Sequence, residues 1–279
     1  MTAVLKLGLI GDNIERSQSP RLHEICGQLA GIEVSYERLI PAKLDLSFDG
    51  VFAKAFGEGY SGINVTFPYK ERVARLVTIP DPAVRAIGAV NTVLFAGPEP
   101  QGFNTDYSGF IQAYQRARPN VDPGVVCLMG AGGVGKAVAF ALLTLHAAEI
   151  ICVDLDRTKA DALVAALKAT GTRTKLRVCD SPIDAALAAD GLINCSPLGM
   201  VNIGGTPLPP SGMKHSDWAF DAVYTPARTQ FLSDAERAGL TVISGYELFI
   251  SQGIDAWALF SGTPADPASL RAGLRGEDH

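Results

Sequence analysis

A Cys-x-x-Cys pair, a histidine group with metal-ligand spacing, a Lys/Arg-rich run, an internal repeat and a low-complexity tract are all missing from this sequence. The five cysteines, Cys26, Cys127, Cys152, Cys179 and Cys195, are odd in number and widely separated. Neither a disulfide framework nor a zinc cluster is indicated, and a reducing cytoplasm is the expected location. Cys127 and Cys152 sit in apolar runs and read as small core residues rather than reactive thiols. His23, His146, His215 and His279 offer no ligand spacing for a metal. A net charge of −5 with no basic run argues against nucleic acid or an anionic membrane surface as partner. An anionic small substrate would have to be met by local positive groups. The longest apolar stretch, residues 137–153, is interrupted by Thr144, His146 and Glu149 and divides into a helix and a strand, so a membrane span is not expected. In residues 1–10 the one basic residue, Lys6, lies inside the apolar run rather than ahead of it, unlike a secretory signal.

The chain does have length and apolar content: 279 residues, 47% hydrophobic, enough for about two domains with sizeable cores. Its most informative stretch is Met129-Gly130-Ala131-Gly132-Gly133-Val134-Gly135-Lys136, between the apolar run 125–128 and an Ala/Leu-rich segment. Gly130, Gly132 and Gly135 stand in G-x-G-x-x-G order, the turn that lets a pyrophosphate approach the backbone at a helix start. The acidic residue this pattern requires at the end of the next strand is Asp154, 19 residues past Gly135. Residues 130–136 also read G-x-x-x-x-G-K, the phosphate loop of NTPases, but the Ser or Thr that would bind Mg²⁺ is Ala137. The dinucleotide reading is therefore preferred, with residues 130–135 and Asp154 as cofactor-binding candidates. Asp156 and Arg157, directly after this acid, join them.

Strands are expected at 5–10, 34–39, 62–66, 89–95 and 102–105, and helices at 21–29, 46–56, 70–76 and 107–116. The segment Pro119-Asn120-Val121-Asp122-Pro123-Gly124 reads as a linker. Beyond it strands and helices alternate, which implies a doubly wound parallel sheet. The expected fold class is α/β, an N-terminal α/β substrate domain with a mixed sheet followed by a Rossmann domain. The expected boundaries are 1–120, joined by returning C-terminal helices 246–279, and 121–245. Within the first domain polar residues gather at strand ends: Ser17 and Ser19, Asn64 and Thr66, Lys70, Asn91, then Asn104-Thr105-Asp106. Singly each is explained by turns and strand-end hydrogen bonding; together they suit a polyhydroxylated ligand.

The segments Ser17-Gln18-Ser19-Pro20, Gly62-Ile63-Asn64-Val65-Thr66-Phe67-Pro68-Tyr69-Lys70, Gly88-Ala89-Val90-Asn91-Thr92 and Asn104-Thr105-Asp106 resemble those of the shikimate and quinate dehydrogenase family. Asn194-Cys195-Ser196-Pro197-Leu198-Gly199-Met200, Asp221-Ala222-Val223-Tyr224-Thr225-Pro226 and the stretch from Gly245 to Gln252 continue the resemblance to the C-terminus. It implies a substrate domain, a nicotinamide-binding domain and substrate held in an interdomain cleft. By position it implies Lys70 and Asp106 as the catalytic pair and Ser17 and Ser19 as carboxylate-binding residues. Asn64, Thr66, Asn91 and Gln252 match hydroxyl-binding positions, Tyr224 a carboxylate- or cofactor-side tyrosine, and Ser196 and Gly245 cofactor-binding positions. No metal is implied. The expected partner is a small cyclitol carboxylate, with a homodimer left open.

Two departures bear on specificity. The family's first loop, Gly-x-Pro-Ile-x-His-Ser-x-Ser-Pro, here carries Asn13 for the proline and Arg16 for the histidine. NADP-dependent members end the second nucleotide-domain strand in Asn-Arg-Thr, where this chain has Asp154-Leu155-Asp156. A carboxylate there accepts from ribose hydroxyls and repels a 2′-phosphate, so NAD is expected; Arg157, folded over the adenine, would tolerate NADP. The expected activity is hydride exchange between NAD and the C3 hydroxyl or ketone of shikimate or quinate. The alternatives are NADP-linked reduction of 3-dehydroshikimate, a related substrate such as an aminoshikimate, and a nucleotide-sensing module without chemistry.

Overall fold

Two sheets, each with its own helices, make up the computed structural model, which describes residues 4–275. Contacts divide the chain into one unit comprising Met1–Thr105 with Ile250–His279 and a second comprising Asp106–Phe249.

In the first unit the elements are β1 (Leu5–Ile10), α1 (Ser19–Ala30), β2 (Val34–Leu39), α2 (Pro41–Leu44), α3 (Phe48–Gly57), β3 (Gly62–Val65), α4 (Lys70–Val73), α5 (Pro82–Ile87), β4 (Thr92–Leu94) and β5 (Gln101–Phe103). The sheet runs β2-β1-β3-β4-β5, parallel across β2, β1 and β3 and antiparallel through β4 and β5. It is the mixed sheet expected. From Leu7 to Ile10 the strand β1 is buried on both sides, because both faces are covered. Leu7 and Leu9 pack with Ala256 and Phe260 from the helix Gly245–Ser261, while Ile10 faces the α3 residues Phe48, Val51 and Phe52.

The second unit begins in α6 (Thr105–Ala117) and continues through β6 (Val125–Met129), α7 (Gly133–Thr144), β7 (Glu149–Val153), α8 (Arg157–Ala169), β8 (Lys175–Val178), α9 (Pro182–Leu187), β9 (Gly191–Asn194), β10 (Trp218–Asp221), α10 (Gln230–Arg237) and β11 (Thr241–Ser244). The helices α11 (Gly245–Ser261) and α12 (Pro267–Arg275) complete the chain. All six strands are parallel, in the order β11-β10-β9-β6-β7-β8. Read from β8 this is the third, second, first, fourth, fifth and sixth strand of the unit, the dinucleotide-binding order whose switch point lies between β6 and β9. Cys127 and Cys152 are fully buried here, and burial pushes both thiols up to about 12, consistent with core packing rather than reactivity.

Helix α6, expected in the substrate domain, groups instead with the second unit. Its aromatic face decides this: Phe110 meets Phe220 edge-on at 4.8 Å and Tyr114 meets Trp218 at 5.0 Å. The six-residue helices α5 and α9, like the four-residue α2, were not foreseen, because so few residues do not display a helical period; α5 and α9 are the longer two. Both nevertheless carry a start signal, a capping side chain followed by proline: Asp81 accepts from the Ala83 amide and Ser181 from that of Asp184. Asp81→Ala is expected to lower stability by about 1 kcal/mol, seen as a lower urea midpoint with unchanged slope; an unmoved midpoint would show the cap contributes nothing.

Candidate active site

In the first unit the polar residues at the strand ends form a continuous buried chain of hydrogen bonds. Tyr36 Oη donates to Asn64 Oδ1 at 2.8 Å, and Asn64 Nδ2 donates to Thr92 Oγ1 at 3.1 Å. Asn91 Oδ1 accepts from the Thr105 amide at 2.8 Å, Asn91 Nδ2 donates to Thr105 Oγ1 at 3.0 Å, and Thr105 Oγ1 reaches Gln252 Oε1 at 3.4 Å. Asn64 and Asn91 are buried, and side chains held this way present their remaining polar atoms in fixed directions. Ser17 Oγ donates to Ser19 Oγ at 3.1 Å, and Arg38 Nη2 holds the Ser17 carbonyl at 2.7 Å. Thr66 is tied to β1 by its amide, which donates to the Ile10 carbonyl at 2.9 Å. The variant loop residues Asn13 and Arg16 are exposed.

Lys70 opens α4, and its carbonyl accepts from the Val90 amide at 2.9 Å, so its backbone is anchored while its side chain is half-buried. Asp106 stands in the first turn of α6, directly after Thr105, and is buried. Behind Asn64, His23 stacks on Tyr36 at 5.0 Å; desolvation holds it neutral, with its pKa lowered to about 3. Tyr36, Arg38 and His23 escaped the sequence reading because nothing local distinguishes them; only the β2 register brings Tyr36 to Asn64.

In the second unit Gly130 has φ +105°, and a Cβ on Gly135 would lie 2.0 Å from the Gly130 carbonyl oxygen. Both glycines are required by the turn itself. At Gly132 a Cβ would meet nothing within 4 Å, and α7 begins there without a side-chain cap. This open, uncapped helix start with a dipole behind it fits a pyrophosphate. Asp154, at the end of β7, accepts from the Ala131 amide at 2.7 Å and the Asp156 amide at 2.9 Å, which turns its carboxylate to the glycine turn. Asp156 caps α8 through the Thr158 amide at 3.0 Å, and Arg157 pairs with Asp180 and Asp161.

At the end of β9, Asn194 Oδ1 accepts from Ser196 Oγ at 2.6 Å, while Asn194 Nδ2 donates to Asp221 Oδ1 at 2.9 Å. Asp221 also accepts from Thr229 Oγ1 at 2.6 Å and the Val223 amide at 3.0 Å, tying together the loops after β9 and β10 and the start of α10. Gly245 fits against this exit, where a Cβ would come within 2.8 Å of the carbonyls of Asp221, Ala222 and Val223. Tyr224 stacks on Phe249 at 4.8 Å. Ser196, Gly245 and Tyr224 thus belong to the second unit, whereas Ser17, Ser19, Asn64, Thr66, Lys70, Asn91 and Gln252 belong to the first.

A six-stranded parallel sheet with a glycine turn and a carboxylate bonded to that turn, in one chain with a unit carrying a buried amide-and-hydroxyl network, defines a nicotinamide-linked oxidoreductase. Residues 9–93 match the family described as the shikimate dehydrogenase substrate binding domain. The chain is 35% identical over 272 residues to the quinate/shikimate dehydrogenase (NAD(+)) of Corynebacterium efficiens, covering 95% of this chain and 96% of that one. It is also 35% identical to the shikimate dehydrogenase (NADP(+)) of Pseudarthrobacter chlorophenolicus, covering 95% and 92%. Among solved structures, quinate dehydrogenase from Corynebacterium glutamicum in complex with NAD is similar with a TM-score of 0.87 at 33% identity, covering 97% of this chain and 98% of that chain. The protein belongs to the shikimate/quinate dehydrogenase family and is an NAD(P)-dependent oxidoreductase acting on a CH–OH group. No helix among the described residues is long and apolar enough to cross a membrane.

Proposed function

We propose that this protein interconverts the C3 hydroxyl and ketone of shikimate or quinate, with NAD as the preferred hydride partner. The observation that carries the cofactor preference is the Asp154 carboxylate held on the Ala131 amide, where it meets ribose hydroxyls and opposes a 2′-phosphate. The Asn64–Thr92 and Asn91–Thr105–Gln252 hydrogen bonds support a ring bearing several hydroxyls. When bound, NAD supplies the acceptor for hydride from the carbinol carbon. The chain's own work is to hold the ring and move the hydroxyl proton. Ser17 and Ser19 offer hydroxyl donors to the carboxylate, and Asn64, Thr66, Asn91 and Gln252 bind ring hydroxyls. Tyr224 serves the carboxylate or cofactor side. Lys70 and Asp106 are assigned the proton: taken from the reacting oxygen during oxidation, returned to the ketone oxygen during reduction. Five cysteines kept as free thiols support a reducing, cytoplasmic setting.

The test is a two-by-two assay of shikimate and quinate against NAD and NADP. NAD is expected to be preferred by more than about tenfold in kcat/KM, which corresponds to roughly 1.4 kcal/mol. No turnover in any of the four combinations would overturn the dehydrogenase reading. An equal preference for NADP would favour the biosynthetic reduction of 3-dehydroshikimate instead.

A further inference from the structure

The strand β7 separates two acidic positions that treat charge in opposite ways. On its β6 side Asp154 turns to the glycine turn. On its β8 side Arg157, the first residue of α8, gives Nη1 to both oxygens of Asp180 at 2.5 and 2.6 Å, and its Nε lies 3.5 Å from Asp161. Asp180 stands two residues past the end of β8. The guanidinium next to the Asp154-Leu155-Asp156 tip is therefore drawn toward the far neighbour of β7, and Leu155 in the tip is fully exposed.

We infer that Asp180, assisted by Asp161, is a cofactor-selectivity residue that withholds Arg157 from a 2′-phosphate. Resting on the NAD reading above, the inference assigns selectivity to two devices rather than one. Asp154 repels the phosphate directly, and Asp180 removes the guanidinium that would otherwise compensate, since arginine is the side chain that pairs a phosphate with several donors. The ion pair is exposed, so its contribution to folding is small. Its consequence is directional: a 2′-phosphate would have to draw Arg157 off two carboxylates while entering the field of Asp154 and Asp156. Nothing in the local sequence around Arg157 announces Asp180, 23 residues on; parallel pairing of β7 and β8 brings it there.

Dissociation constants of NADP and NAD, measured by calorimetry on the full chain, test this apart from turnover, with kcat/KM for each as a second readout. Asp180→Ala is expected to tighten NADP about fivefold, the size of an exposed ion contact, with NAD changed less than about twofold. Asp161→Ala/Asp180→Ala should gain about tenfold, and either gain should shrink at high salt because the site is exposed. The gain must disappear when Arg157→Ala is added. An NADP affinity unmoved in both variants, or a gain that survives without Arg157, overturns the inference. A wild-type preference for NADP overturns the NAD reading itself and the inference with it, whereas NAD preference with an NADP affinity unmoved in both variants overturns the inference alone.

Discussion

Lys70→Ala is expected to lower kcat for oxidation of shikimate or quinate by about 10²- to 10⁴-fold, with KM changed only a few-fold. The range is what a positioned proton-transfer group contributes, and it should fall on kcat because the lost interaction belongs to the transition state. Damage to the fold is a poor alternative explanation at this position. The carbonyl of Lys70, not its ammonium, holds the Val90 amide, and alanine keeps that carbonyl. The side chain is half-buried, so its removal opens no sealed cavity. Steady-state kinetics in both directions, with circular dichroism to check folding, decide the matter. An intact kcat would show that Lys70 does not carry the proton.

Asp221→Asn is expected to change how stability depends on pH. Asp221 is fully buried, and desolvation outweighs its hydrogen bonds from Thr229, Val223 and Asn194, lifting the carboxyl from 3.8 to about 6. A raised carboxyl pKa means that the folded state binds the proton more tightly than the unfolded chain. The associated stability is fully present below pH 4 and is lost as pH rises through about 6. Asparagine has nothing to ionise. Relative to wild type, the variant should be about 2 kcal/mol better placed at pH 8 than at pH 4.5. Part of that is offset by a constant cost, since the Asn amide must face Thr229 Oγ1 where a carboxylate oxygen now accepts. Urea unfolding of both proteins at the two pH values reads the difference between them. A difference independent of pH would show that Asp221 does not titrate in this range.

Much of the architecture was legible because it is local. The strands Leu5–Ile10 and Val34–Leu39 lie where apolar runs and turn residues put them. Strand–glycine turn–helix followed by Asp154 is likewise a pattern of neighbours, and the structure closes it with the Ala131 amide on that carboxylate. Other boundaries moved where long-range bonds override local preference. The expected strand 89–95 shortens to Thr92–Leu94, because Val90 is bonded to Lys70 and Asn91 to Phe103.

By itself the sequence determined the α/β class, the glycine turn and the acidic residue that follows it at the end of the next strand. These depend on spacing along the chain and on side-chain identity, which folding does not alter. Only the tertiary structure decided that Tyr36 orients Asn64, that Arg38 holds the Ser17 carbonyl, that α6 groups with the nucleotide unit, and that Arg157 is pledged to Asp180. Each joins residues far apart in sequence, and strand order and register, set by packing of the whole sheet, are what bring them within hydrogen-bond reach.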